Sequence, residues 1–323
     1  MESNSTAGDP RVVAMRLTAI TYAAEQTHLF EFRPIGTRAV AAFEAGAHID
    51  LYLPNGLVRQ YSLTNSESES YRYVVGIKRD PRSRGGSSYI FESLTVGTIV
   101  KIGGPRNNFR LTPAAAHTVL VAGGIGITPI WAMLQSLEAA SRSWELHYAT
   151  RRRSEMAFAA ELAQFGDRVH LHVDDEAGGA VMDMSSFVAG VSTDSHLYCC
   201  GPEPMLASFE EATRSRPRAH VHVERFSTDL AVANAGGYRV ELARCGKVVT
   251  VQRGQTILEA LRANGVNVPS SCEQGICGAC ETKVIAGVPE HRDMILSDEE
   301  KAANSTMMIC CSGSRSDLLI LDL

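Results

Sequence analysis

"SSCEQGICGACETK", Ser270 to Lys283, sets three cysteines, Cys272, Cys277 and Cys280, close together, and a further pair, Cys310 and Cys311, follows downstream. C-x4-C-x2-C completed by one more cysteine is the plant-type spacing of the four thiolate ligands of a [2Fe-2S] cluster. Two irons and two sulfides on four thiolates carry net negative charge that backbone N–H groups must offset. Gly275 and Gly278 let the chain curl close to the sulfurs, and Ser270 and Ser271 add hydroxyl donors. A zinc site of four cysteines is the competing reading, yet zinc ribbons pair two C-x2-C knuckles and only Cys277 with Cys280 makes one here. A Rieske centre needs two histidines on one iron, and the chain contains no Cys-x-His.

The rest of the composition is that of an ordinary globular protein. With 323 residues the chain suits two or three domains, and 45% hydrophobic with 21% charged residues matches common usage. A formal net charge of -5 gives no electrostatic case for nucleic acid or an anionic membrane. The polar start MESNSTAGDPR lacks the basic-then-apolar order of a signal peptide, and no apolar run reaches the length of a membrane span. A cytoplasmic protein is therefore expected. There thiols stay reduced, so its eight cysteines read as metal ligands, reactive thiols or small core residues rather than disulfides.

Three segments differ in pattern. Residues 11–112 read as strands, with the turn Pro54-Asn55-Gly56 between "HIDLYL" and "LVRQYSLT" and with "YRYVVGIK" and "TIVKIGG" beyond, which predicts an antiparallel β-barrel or sandwich. Residues 113–226 alternate strand and helix ("HTVLVAGG", "TPIWAMLQSLEAA", "WELHYAT", "MAFAAELAQFG", "RVHLHVDD", "SHLYCCG", "EPMLASFEEATR"), which predicts a parallel α/β sheet. Residues 227–237 read as a linker, and 238–323 as an α+β domain. In it a hairpin turns at Cys245-Gly246, a helix is capped by Thr256 and stopped at Gly265, and "DLLILDL" is the last strand.

"LVAGGIGITPI" places Gly123, Gly124 and Gly126 between a strand and a helix, where helix N-terminal N–H groups hold a pyrophosphate, with Thr128 expected as N-cap and Pro129 as first helical residue. It is not G-x-G-x-x-G, and a tight turn needed only for packing is the bland reading. Cys200-Gly201-Pro202 would lie at the carboxyl edge of the same sheet, where ligands of open α/β sheets bind. The second strand ends in Thr150-Arg151-Arg152-Arg153; arginines there can accept a 2′-phosphate, which points to NADPH, and a solvated basic turn is the alternative. In the first segment, Arg59, Tyr61, Ser62 and Leu63 share a short strand. Lys78, Arg79, Arg82 and Arg84 lead into Gly85-Gly86-Ser87-Ser88 at a helix start, together a candidate phosphate site. His170/His172 and His220/His222 alternate along strands and read as face-lining residues.

The order of these pieces carries a resemblance. Arg59-x-Tyr61-Ser62, then Gly-Gly-x-Gly-x-Thr-Pro and Cys-Gly-Pro, resembles the ferredoxin-NADP reductase superfamily. With the C-terminal cysteine loop, "GPRNNF" (Gly104–Phe109) and "HRDMILSDEEK" (His291–Lys301), the chain resembles the phthalate dioxygenase reductase family, which includes vanillate O-demethylase reductases. The resemblance implies FMN held by Arg59, Tyr61, Ser62, Leu63, Lys78, Gly86 and Ser87. NADH, preferred over NADPH, would lie on Gly123, Gly124, Gly126, Thr128, Pro129, Arg151, Cys200, Gly201 and Pro202. It also implies a β-grasp ferredoxin domain whose fourth cluster ligand is Cys310, a cysteine followed by a small residue and then a strand. Ser62, Glu224 and Phe226 would be the catalytic group, the Glu-x-Phe stretch bringing an aromatic against the flavin. Hydride from NADH would enter the flavin and leave as single electrons through the cluster to a separate Rieske non-haem iron oxygenase that hydroxylates or demethylates an aromatic compound. An oxygenase for a quaternary amine, or a non-catalytic redox-sensing or zinc-stabilised binding module, are the alternatives.

Overall fold

The computed structural model describes residues 12–36, 39–81, 85–113, 115–227 and 231–323. Arg82 and Arg84, and residues 228–230 of the expected linker, lie outside the described residues. The chain divides into two compact units, one up to Arg225 and one from Phe226.

The first unit opens with strands β1 (Val12–Ala24), β2 (Thr27–Pro34), β3 (His48–Tyr52), β4 (Val58–Ser62) and β5 (Tyr73–Lys78), helix α1 (Gly86–Ser93) and strand β6 (Ile99–Arg106). They form an antiparallel sheet in the order β4-β3-β6-β1-β2-β5. A bridge between Leu63 and Val75 joins its two ends, so the sheet closes on itself as the barrel the sequence predicts. Alternate residues point inward, and Leu17, Phe32, Ile49, Leu51, Leu63 and Val75 are fully buried there. The Pro54-Asn55-Gly56 turn joins β3 to β4 as expected.

Beyond it run β7 (Thr118–Gly123), α2 (Ile127–Ala139), β8 (Trp144–Thr150), α3 (Ala159–Leu162), β9 (Val169–Val173), α4 (Met184–Ala189), β10 (His196–Cys200), α5 (Glu203–Ala212) and β11 (Val221–Glu224). The strands make a parallel sheet in the order β11-β10-β7-β8-β9. Central β7 is buried along its whole length, as a strand covered on both faces must be. The expected helix over "MAFAAELAQFG" is one α turn followed by 3-10 turns, broken at Gly166 with φ 55°. Barrel and sheet share a core in which Ala24, Ala45 and Phe109 pack with α2 residues such as Ile130 and Met133. "GPRNNF" makes that junction. Arg106 grips the buried Asp50 with both guanidinium nitrogens (2.6 and 2.8 Å), and Asn107 Nδ2 donates to Ala45 O (2.9 Å).

The second unit contains β12 (Tyr238–Leu242), β13 (Lys247–Val251), α6 (Ile257–Ala263), β14 (Glu281–Ala286), β15 (Pro289–Glu290), α7 (Asp298–Ala303), β16 (Thr306–Met308), β17 (Gly313–Ser314) and β18 (Leu318–Leu321). Five of them form a mixed sheet, β13-β12-β18-β14-β16, with β12 and β18 parallel at its centre, and α6 packs its Ile257, Leu258 and Leu261 into the same core. This is the expected α+β arrangement. Helix α6 begins where the sequence places it: Thr256 Oγ1 accepts from Glu259 N (3.2 Å) and Glu259 Oε2 accepts from Thr256 N (2.8 Å), a reciprocal cap. Thr256→Ala is expected to lower the stability of this unit by about 1 kcal/mol in guanidinium denaturation followed by circular dichroism; an unchanged midpoint would mean that tertiary packing alone holds the helix start.

Candidate electron-transfer site

The cysteine loop runs from α6 to β14. Glu273, Gly275 and Gly278 all have positive φ (56°, 72° and 73°), so the backbone winds around the thiols as the glycines suggest. Gln274 N donates to Cys272 Sγ and Ala279 N to Cys277 Sγ, each at 3.4 Å. Four of the thiols lie in mutual contact: hydrogen bonds with Cys277 and Cys310 lower Cys272, and one with Cys310 lowers Cys280, while the same contacts raise Cys277 and Cys310.

Cys311, in contact with Cys310, has further partners of its own. Its Sγ lies 3.6 Å from Met308 O, and it fills the space behind Gly275, where a Cβ would come within 2.5 Å of that sulfur. Gly275 therefore needs both its positive φ and its missing side chain. Arg262, in the last turn of α6, bonds the Ser270 hydroxyl and pairs with Glu273 (2.7 Å), pinning the start of the loop. No motif marked that arginine, and the Ser270 hydroxyl is engaged with it.

In the parallel sheet, chain order reverses between β7 and β10, the place where open α/β sheets bind ligands. Gly123, Gly124 and Gly126 meet Cys200, Gly201 and Pro202 there. A Cβ on Gly126 would lie 2.1 Å from Cys200 O, and one on Gly123 would lie 2.7 Å from Pro202 Cδ. The helix start differs from expectation. A 3-10 turn, Gly124–Gly126, runs straight into α2 with Gly126 as N-cap, which places Thr128 and Pro129 inside the first turn. Thr128 Oγ1 bonds Ile125 O (2.9 Å), and Pro129 lacks an N–H where the first turn leaves donors without helical partners. The N–H groups of that turn still point to the carboxyl edge of the sheet.

The arginine run has partners that the sequence did not disclose. Arg152 pairs with Glu25 (3.0 Å) and Glu155 (2.9 Å), and Arg153 grips Glu176 through two bonds (2.7 and 2.6 Å). Arg151 is exposed beside them. Lys78 is likewise paired with Glu155 at 2.7 Å, joining barrel to sheet.

On the barrel, Arg59 Nη1 donates to Val58 O (2.8 Å), and its side chain lies against Gly86 at the start of α1, where a Cβ would meet Nε at 2.6 Å. Ser87 Oγ accepts from Asp80 N (3.1 Å) in the same turn. A guanidinium, a hydroxyl and a helix start thus converge. Tyr61 is half-buried, and burial raises its phenol well above the usual value; Ser62 and Leu63 are buried on the same strand. Glu224, at the end of β11 and paired in register with Cys200, has Oε2 buried without a hydrogen-bond partner, and burial pushes its carboxyl up to about 8. Phe226 falls in the second unit and is 42% exposed.

Residues 14–111 match the oxidoreductase FAD-binding domain, 120–211 the oxidoreductase NAD-binding domain and 240–313 the 2Fe-2S iron-sulfur cluster binding domain. The solved structure of phthalate dioxygenase reductase, described as a modular structure for electron transfer from pyridine nucleotides to [2Fe-2S], is 36% identical with a TM-score of 0.74, over 97% of this chain and 98% of that one. The chain belongs to the phthalate dioxygenase reductase family. It is a multidomain oxidoreductase with a flavin domain, a nucleotide domain and a [2Fe-2S] domain. Phenoxybenzoate dioxygenase subunit beta of Ectopseudomonas oleovorans is 50% identical over 99% of this chain and all of its own length. Tetrachlorobenzoquinone reductase of Sphingobium chlorophenolicum is 48% identical over 96% of this chain and 98% of its own. No helix among the described residues is long and apolar enough to cross a membrane.

Two outcomes follow from the switch-point geometry. Gly126→Ala must displace the Cys200 carbonyl, so the KM for the nicotinamide nucleotide should rise severalfold while the visible spectrum stays that of the parent; an unchanged KM would remove this turn from the site. The raised Glu224 carboxyl keeps its proton in the fold at pH values where the unfolded chain, near 4.5, has lost it. The folded state then binds more protons, so stability falls as pH rises from about 4.5 towards 8. Glu224→Gln should flatten that fall in denaturation midpoints taken across the window, whereas parallel pH profiles would show the carboxylate to be solvated.

Proposed function

We propose that this chain is the cytoplasmic, NADH-dependent reductase component of a two-protein aromatic oxygenase, with FMN as its flavin and a separate Rieske non-haem iron oxygenase as its electron acceptor. The observation that carries the proposal is the mutual contact of Cys272, Cys277, Cys280 and Cys310 in a chain that also matches flavin, nucleotide and [2Fe-2S] domains. Flavin and cluster together supply the conversion of a two-electron hydride donor into single electrons. The chain's own residues supply placement.

Cys272 and Cys277 would hold one iron, and Cys280 and Cys310 the other. The N–H groups of Gln274 and Ala279 offset the charge on the sulfurs. Arg59, Ser87 and the N–H groups at Gly86 would receive the terminal phosphate of FMN, while Tyr61, Ser62 and Leu63 line the ring side of the barrel. Lys78, held by Glu155, acts by fixing the barrel against the sheet. Gly123, Gly124, Gly126, Thr128 and Pro129 on one turn, and Cys200, Gly201 and Pro202 on the other, would carry the nucleotide. Glu25, Glu155 and Glu176 neutralise Arg152 and Arg153, which leaves Arg151 for the adenosine end and favours NADH over a 2′-phosphorylated nucleotide. Glu224 and Ser62 would flank the site of hydride transfer, and the domains would run over 11–112, 113–226 and 238–323 with a linker between the last two.

A second reading has direct support in the quinone reductase relative: delivery of the electrons to a quinone without an oxygenase. The test is an anaerobic titration of the purified protein with NADH and, in parallel, NADPH, after release and identification of the flavin. Flavin and iron-sulfur bands should bleach together at low NADH, with FMN as the released flavin. Cys310→Ser should still accept hydride but lose electron delivery to a Rieske oxygenase, and Cys311→Ser should keep both. Delivery surviving in Cys310→Ser would move the fourth ligand, and rapid turnover with a quinone but none with oxygenases would favour the second reading.

A further inference from the structure

We propose that Glu145, His147 and His170 form a binding site for a divalent cation of the zinc class, on the face of the parallel sheet opposite α2. The pleat of β8 brings these residues together. Trp144, Leu146 and Tyr148 enter the core beneath α2, so Glu145 and His147 must point to the other face. Parallel pairing of β8 with β9 then sets His170 directly across from His147. Their rings stack with centroids 4.5 Å apart and planes at 24°.

One ligand atom from each of the three residues lies within 4.8 Å of the other two, an arrangement found nowhere else among the described residues. His147 Nε2 is 3.5 Å from Glu145 Oε1, and it is buried without a hydrogen-bond partner. A buried ring nitrogen left unpaired is costly and calls for an explanation. A metal ion supplies one, since it takes up the lone pair that no protein donor meets. The Phe187 ring of α4 lies 4.1 Å from His147 and closes one side, whereas His170 is exposed and leaves an entry from solvent.

Donor chemistry selects the ion. Two imidazole nitrogens and one carboxylate oxygen suit Zn²⁺ and its borderline neighbours, and not Mg²⁺ or Ca²⁺, which prefer all-oxygen shells. Three protein ligands leave a position for water. His172, two residues beyond His170, is engaged with Ala180 O (2.8 Å). His196, His220 and His222, the other histidine group on this sheet, are bonded differently: His196 Nδ1 meets His222 Nε2 at 3.1 Å, and His220 Nδ1 meets Thr193 O at 3.2 Å. Because β9 is an edge strand, the ion would tie it to β8 and stabilise the sheet by mass action.

The experiment uses the untagged holoprotein and Zn²⁺ alone as probe. Protein dialysed against micromolar zinc is analysed for zinc, iron and flavin, and its thermal midpoint is followed against zinc concentration. The parent and His196→Ala should bind one zinc per chain with a rising midpoint. His170→Ala and His147→Gln should bind zinc about tenfold more weakly or worse and lose the shift, with iron and flavin content unchanged. The proposal is overturned if the parent takes up no zinc, or if both variants bind it as the parent does.

Discussion

Two backbone segments can approach only as closely as the atoms between them allow, and at the centre of the parallel sheet the limit is set by Gly126. The carbonyl of Cys200 occupies the space in which any other residue would place its Cβ. That contact draws the turn after β7 against the turn after β10 at the one point where strand order reverses, and it aims the first turn of α2 at the crevice. The same device recurs twice. Arg59 lies across Gly86 at the start of α1, and Cys311 packs behind Gly275 in the cysteine loop. In each case a missing side chain lets backbone N–H groups come close to where an anionic group would be held.

Charge pairing does a different job. Glu155 accepts from both Lys78 of the barrel and Arg152 of the sheet, Glu25 reaches Arg152 from the turn after β1, and Asp50 holds Arg106 where the barrel ends. The pairs made by Glu155 and Glu25 bridge the two halves of the first unit, while Asp50 and Arg106 join β3 to β6 within the barrel. Most are partly exposed, so their contribution lies in orientation more than in stability. Of the arginine run, Arg152 is thus engaged, and Arg153 pairs with Glu176. A run of basic residues thus reads as a phosphate site in sequence and as an interdomain clasp in the fold.

Legibility in the sequence followed the locality of the interaction. The cysteine spacing, the Thr256 cap with Glu259 three residues on, the Pro54-Asn55-Gly56 turn and the run of buried residues in β7 are all short-range patterns, and the structure has each where it was expected. Helix α2 starts two residues earlier than Thr128-Pro129 predicts. Thr128-Pro129 makes a good local beginning, but the glycines before it already form a 3-10 turn that feeds the helix.

By itself, then, the amino-acid order determined the three-part architecture, the chemistry of the cysteine loop and the family, because each is written in spacings of a few residues. Only the tertiary structure decided that Cys311 packs behind Gly275, which arginines are already paired with carboxylates, and that His147 and His170 stand side by side with Glu145. Those relations join residues tens of positions apart, and strand register and side-chain direction alone bring them together.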